Sequence, residues 1–181
     1  MNVLPTKLPE VMVLEPRVFG DERGWFYESF NEQAFLAQVG AQLKFVQDNH
    51  SRSGQHVLRG LHYQITQPQG KLVRVVMGEI LDVAVDIRHS SPNFGQWVSV
   101  RLTAANRQQI WVPPGFAHGF VVLSEYAEVL YKTTAYYAPA AERTILWNDP
   151  DLAIAWQLAA DPVLSVKDQA GQHLSKAEVF A

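Results

Sequence analysis

The chain has 181 residues, 18 of them acidic and 15 basic, for a formal net charge of −3. That length suits one domain over residues 1–181, with a core large enough to need no covalent staples, and the absence of cysteine excludes disulfides, thiolate chemistry and cysteine-bound metals. The acidic balance argues against nucleic acid as a partner; with no apolar run near the roughly 20 residues that span a bilayer and no signal pattern at Met1–Lys7, no membrane partner and a cytoplasmic location are expected.

Short runs rich in β-branched and aromatic residues predict strands at Val11–Leu14, Trp25–Phe30, Phe45–Asn49, Val57–Tyr63, Leu72–Met77, Leu81–Ile87, Trp97–Leu102, Gln109–Val112, Gly119–Leu123, Glu128–Thr133 and Ile145–Trp147. Turn chemistry separates many of them, as in Gly20-Asp21-Glu22-Arg23-Gly24, Pro68-Gln69-Gly70 and Pro113-Pro114-Gly115. One clear helix is predicted from Asn31 to Val39, capped by Asn31 and ended by Gly40, and a weaker one closes the C-terminus. Many short strands with few helices predict an all-β sandwich or barrel. In Leu81–Ile87, Leu81, Val83, Val85 and Ile87 share one face and Asp82, Ala84 and Asp86 the other. The aspartates are solvated if the apolar face packs inward; Asp82 points into a cavity if the strand lines a barrel.

Arg59-Gly60-Leu61-His62-Tyr63-Gln64 and Gly70-Lys71-Leu72-Val73-Arg74 set a histidine and a lysine on neighbouring strands. Imidazole takes a proton near neutral pH, and the ammonium holds a developing oxyanion. Strict alternation puts Arg59 on the face opposite His62, unless a bulge at Gly60 re-aims one of them. A second histidine, His118, follows the rigid Pro113-Pro114-Gly115 turn.

The spacing Gly60-x-His62-x-Gln64 and Pro113-x-Gly115-x-x-His118 resembles the two cupin motifs, which lie on facing strands of a jelly-roll barrel. Most metal-binding cupins carry a second histidine where this chain has Gln64, and two histidines alone make a poor metal site. The resemblance therefore implies an all-β cupin-type jelly roll with a few short helices that works without metal. Further strings narrow it: Phe19-Gly20-Asp21-Glu22-Arg23-Gly24, Glu28-Ser29-Phe30, Gln47-Asp48-Asn49-His50-Ser51, Pro114-Gly115-Phe116-Ala117-His118-Gly119-Phe120 and Leu130-Tyr131-Lys132-Thr133-Thr134. In this order, over nearly the whole chain, they resemble the dTDP-4-dehydrorhamnose 3,5-epimerase family.

That resemblance implies a homodimeric isomerase acting on a dTDP-sugar. It implies His62 as general base, Asp168 as the carboxylate that orients it, Tyr131 as proton donor from the other side of the sugar, and Lys71 beside the C4 oxygen. It implies His118 and Asp82 as a supporting pair near that oxygen. It further implies Arg23, Glu28, Gln47, Asn49, Arg59, Glu142 and Lys167 as substrate-binding positions, with the basic ones near the diphosphate, and Tyr137 as an aromatic stacked on thymine. One departure is Ala135, where family members often carry an acidic residue. It bears on the hydrogen bonding of the loop that holds Tyr136 and Tyr137.

These groups suit inversion of a carbon next to a ketone. A base removes the proton, a cation holds the enolate, and an acid returns a proton to the opposite face. The step involves no redox change and the chain has no glycine-rich dinucleotide fingerprint, so no cofactor is expected.

Overall fold

The computed structural model describes residues 1–40 and 43–181. In chain order the strands are β1 (Asn2–Pro5), β2 (Met12–Glu15), β3 (Val18–Asp21), β4 (Gly24–Tyr27), β5 (Gln47–Gly54), β6 (Leu58–Gln64), β7 (Lys71–Met77), β8 (Glu79–Asp86), β9 (Trp97–Thr103), β10 (Gln109–Val112), β11 (Phe116–Val122), β12 (Tyr126–Thr133) and β13 (Glu142–Thr144). The helices are α1 (Glu32–Val39) and the single-turn α2 (Val166–Gln169). Six strands form an antiparallel sheet in the order β1-β2-β10-β7-β12-β5, and five form a second, β13-β6-β11-β8-β9. Among the described residues, β3 and β4 pair only with each other. The fold is all-β, a jelly roll of two packed sheets, as expected.

Three apolar clusters account for the layers. Val73, Val75, Ile110 and Val112 of the six-stranded sheet meet Ile80, Ala84, Phe116, Phe120 and Val122 of the five-stranded sheet. Outside the five-stranded sheet, Leu81, Val83, Val85 and Ile87 pack under the C-terminal segment through Ile145, Leu152, Trp156 and Leu174. Outside the six-stranded sheet, Phe35 of α1 packs with Leu14, Leu72 and Trp111. β8 is therefore covered on both faces. Its apolar face lies under the C-terminal segment, and the face bearing Asp82 and Ala84 turns inward, so the aspartates are not solvated: Asp82 and Asp86 are fully buried.

The predicted strands reappear within a few residues, with three differences. Ile145–Trp147 is not a strand; β13 ends at Thr144, and Ile145 makes a lone bridge to Gln172. β1, β3 and β13 went unpredicted. β5 runs five residues past Asn49 because it pairs with β12 along its whole length; Gln47–Gly54 is almost wholly polar and gave no strand signal there. The helix is as read: Asn31 Oδ1 accepts from Ala34 N at 3.0 Å, and Gly40 adopts the left-handed conformation that ends it. The C-terminal helix is reduced to α2 and a 3₁₀ turn at Leu174–Lys176.

Phe35 is the buried anchor of α1, with its ring 5.2 Å from those of both Phe45 and Trp111. Phe35→Ala should lower stability by about 3–5 kcal/mol in urea denaturation. A loss below about 1 kcal/mol would mean that the outer cluster collapses around the gap without cost.

Candidate active site

A cavity of about 360 Å³ lies between the two large sheets and takes side chains from both. β6 contributes Arg59, His62 and Gln64, and β11 contributes His118 and Phe120. From the facing sheet come Gln47, Asn49 and Ser51 of β5, Lys71 of β7 and Tyr131 of β12. Tyr137, Glu142 and Lys167 line it too, with Tyr63, Gln69 and Gly119. Arg59 and His62 share the cavity because β6 slips register against β11 between them. Gly60 permits this: it has φ +118°, and a Cβ there would stand 2.6 Å from the Gly119 Cα.

Asp168 is the immediate partner of His62. Its Oδ1 is 2.6 Å from His62 Nε2 and also accepts from the Gly60 amide at 3.3 Å. Ser165 caps α2 by accepting from Asp168 N at 3.1 Å, and its hydroxyl donates to Asp168 Oδ2 at 2.7 Å. Burial pushes the Asp168 carboxyl up, but the hydrogen bonds from His62 and Ser165 outweigh it and hold it below the ordinary aspartate value. Burial pulls His62 below its ordinary 6.5, against the opposing hydrogen bond to Asp168. At neutral pH the pair is thus a carboxylate and a neutral imidazole. Nε2–H donates to Asp168, which leaves Nδ1 as the free basic nitrogen.

Lys71 is buried, and its Nζ donates to the His62 carbonyl at 3.3 Å. Burial lowers its pKa to about 8, partly offset by the charges of Asp82 and Glu142. His118 Nε2 donates to both Asp82 oxygens, at 2.9 and 3.0 Å. Tyr131 makes no side-chain hydrogen bond among the described residues, and burial raises its pKa above the ordinary phenol value.

At the rim, Lys167 Nζ donates to Glu142 Oε1 at 2.8 Å, and the Tyr137 hydroxyl donates to Glu142 Oε2 at 3.0 Å. Tyr137 N donates to Gln47 Oε1 at 3.0 Å, and Gln47 Nε2 to Asn49 Oδ1 at 2.9 Å. The Ala135 loop is held through its main chain: the Ala135 carbonyl accepts from Gln69 Nε2 and Thr133 Oγ1, both at 2.9 Å. An acidic side chain at this position is not needed for either bond.

The structure thus gathers His62, Lys71, Tyr131, His118, Gln47, Asn49, Arg59, Tyr137, Glu142 and Lys167 around one cavity, with Asp168 and Asp82 behind the two histidines. Arg23 and Glu28 stand elsewhere. Arg23 lies in the β3–β4 hairpin, exposed and paired with Asp21, and Glu28 accepts from Asn31 at 3.2 Å. Sequence reading passed over Ser165, Ser51 and Phe120. Ser165 had a signal, since Ser165-x-x-Asp168 has the spacing of a capping box. Among the described residues, no three His, Asp, Glu or Cys side chains converge as metal ligands.

A jelly roll whose inner cavity sets a histidine–carboxylate pair opposite a tyrosine defines a cupin-like protein equipped for acid–base chemistry. Residues 5–176 match the family model described as dTDP-4-dehydrorhamnose 3,5-epimerase. The chain is 61% identical over 180 residues to the dTDP-4-dehydrorhamnose 3,5-epimerase of Pseudomonas aeruginosa, covering 99% of each. It is similar in structure to the Legionella pneumophila dTDP-6-deoxy-D-glucose-3,5-epimerase in complex with dTDP-4-keto-L-rhamnose, with TM-score 0.96, 52% identity and coverage of 98% and 94%. A 3′-monoepimerase of Streptomyces bikiniensis in complex with dTDP-quinovose aligns with TM-score 0.89, 34% identity and coverage of 94% and 87%. The chain belongs to the dTDP-4-dehydrorhamnose 3,5-epimerase family.

Proposed function

We propose that this chain epimerises C3 and C5 of dTDP-4-dehydro-6-deoxy-D-glucose, giving dTDP-4-dehydro-L-rhamnose. The carrying observation is the His62–Asp168 pair on one wall of the cavity with Tyr131 on the other. His62 Nδ1 takes the proton from the carbon beside the ketone. Asp168 stabilises the imidazolium that forms, as the carboxylate does in a catalytic triad. Lys71 and the His118–Asp82 pair hold negative charge on the C4 oxygen. Tyr131 protonates the opposite face; its raised pKa keeps it protonated until the carbanion forms.

Arg59 and Lys167 bind the diphosphate, Gln47, Asn49 and Glu142 fix the sugar nucleotide, and Tyr137 stacks on thymine. A double rather than single inversion is favoured by 61% and 52% identity to 3,5-epimerases against 34% to the monoepimerase.

The same reading takes the protein as a two-fold homodimer. Phe19, Trp25 and Phe26 of the β3–β4 hairpin are between 50% and 69% exposed, a costly apolar surface for an isolated chain. β5 has one hydrogen-bonded neighbour and leaves an open sheet edge. Arg23 and Glu28 lie away from their own chain's cavity, so their role in substrate binding requires the hairpin to reach the cavity of a second copy.

In deuterated water, NMR should record deuterium entering both C3 and C5; no incorporation at either carbon would sink the reading. His62→Ala should cut that exchange by about 10²–10⁴-fold. The base works only when neutral, and burial holds its pKa below the ordinary 6.5, so exchange should persist through 6.5 and fall only as pH drops through that lowered pKa. The Lys71 cation is lost as pH rises through about 8, and exchange should fall there too. Light scattering should report twice the chain mass of 20.4 kDa at micromolar concentration; the monomer mass would contradict the dimer.

A further inference from the structure

Gln64 lies on β6 two residues beyond His62 and is only 3% exposed. It lines the cavity, yet among the described residues every hydrogen bond of its amide ends on main chain. Oε1 accepts from Ala138 N at 2.8 Å, and Nε2 donates to Tyr136 O at 3.2 Å and Gln67 O at 2.9 Å. The first two bonds grip the peptide groups on either side of Tyr137. The Tyr137 amide itself is held by Gln47 Oε1. Two glutamines, one from each sheet, therefore fix three consecutive residues of a segment that is neither helix nor strand.

The side chain so held is 53% exposed and makes one side-chain hydrogen bond, from its hydroxyl to Glu142. Little packing fixes the direction of its ring, so the backbone beneath it must. Only a primary amide can do this from position 64, because Ala138 N needs an acceptor while Tyr136 O and Gln67 O need donors. A carboxylate offers no donor there, and an apolar side chain of the same length offers neither.

We propose that Gln64 is the positioning residue of the nucleobase subsite: it sets the Tyr137 loop so that the ring is ready to stack on the base of the bound nucleotide. Gln64 touches no part of the base. Its effect comes from ordering the loop before binding, which spares that entropic cost when the ligand arrives. The proposal rests on the reading of Tyr137 as the stacking aromatic.

The test separates base from phosphate. Calorimetry on the full chain would measure dTDP and inorganic pyrophosphate binding to the parent protein, Gln64→Met and Tyr137→Ala. Gln64→Met should weaken dTDP roughly tenfold, in the range of one lost base–aromatic stack, and leave pyrophosphate within about twofold. Tyr137→Ala should give the same pattern. Equal weakening of both ligands by Gln64→Met would mean a general disturbance of the cavity and would overturn the proposal, as would unchanged dTDP binding. If Tyr137→Ala weakens dTDP and Gln64→Met does not, stacking stands and the clamp alone fails. If Tyr137→Ala leaves dTDP unaffected, the stacking reading fails and takes the clamp with it. Should Gln64→Met not fold, Gln64→Asn keeps a neutral amide that is one methylene too short for these bonds and adds no charge to the cavity. The same selective loss of dTDP over pyrophosphate is expected of it, and an unchanged ratio would overturn the proposal.

Discussion

The contact between His62 Nε2 and Asp168 Oδ1, 2.6 Å long and largely out of water, is the constraint on which the rest of the site depends. It joins parts of the chain 106 residues apart. Asp168 is available only because the C-terminal segment covers the outer face of the five-stranded sheet, where Leu152, Trp156 and Leu174 bury themselves against Leu81, Val83 and Val85. Hydrophobic burial on the outside of the sheet thus delivers the carboxylate that holds an imidazole on the inside. The Gly60 amide and the Ser165 hydroxyl then hold the two carboxylate oxygens, so the imidazole meets a fixed acceptor.

Burial sets the chemistry of the other groups as well. It pulls His62 and Lys71 down and pushes Tyr131 up. These directions leave a neutral imidazole, a cation and a protonated phenol together around neutral pH, the states that the proposed proton transfers require. The sheet topology separates them correctly. His62 and His118 come from adjacent strands of one sheet, and Lys71 and Tyr131 from adjacent strands of the other. On the proposed reading, a planar enolate between the walls would meet His62 on one side and Tyr131 on the other.

Much of this was legible in the sequence, for identifiable reasons. Alternation and turn residues marked the central strands, and Asn31 and Gly40 bounded α1, because those signals are local. β5 was cut short because its stability comes from ladder bonds to β12 rather than from an apolar face. Which face of Leu81–Ile87 turns inward, and so whether Asp82 is buried, was left open, since the covering of Leu81, Val83 and Val85 by a segment some 70 residues later is a tertiary fact. Arg59 and His62 share a cavity through a register slip that strict alternation denies, and only the glycine hinted at it. Gln64 was legible as a missing metal ligand but not as a clamp, because its partners are main-chain atoms of a loop more than 70 residues away. Arg23 and Glu28 were named only through family resemblance, and their own chain keeps them apart from the cavity.

The most direct test of the central pair is a nitrogen-15 NMR titration of His62 in the ligand-free protein. The predicted result is a neutral imidazole with its proton on Nε2, titrating below 6.5, and losing that tautomer preference in Asp168→Asn. A His62 that carries its neutral proton on Nδ1, or titrates above that value, would contradict the account.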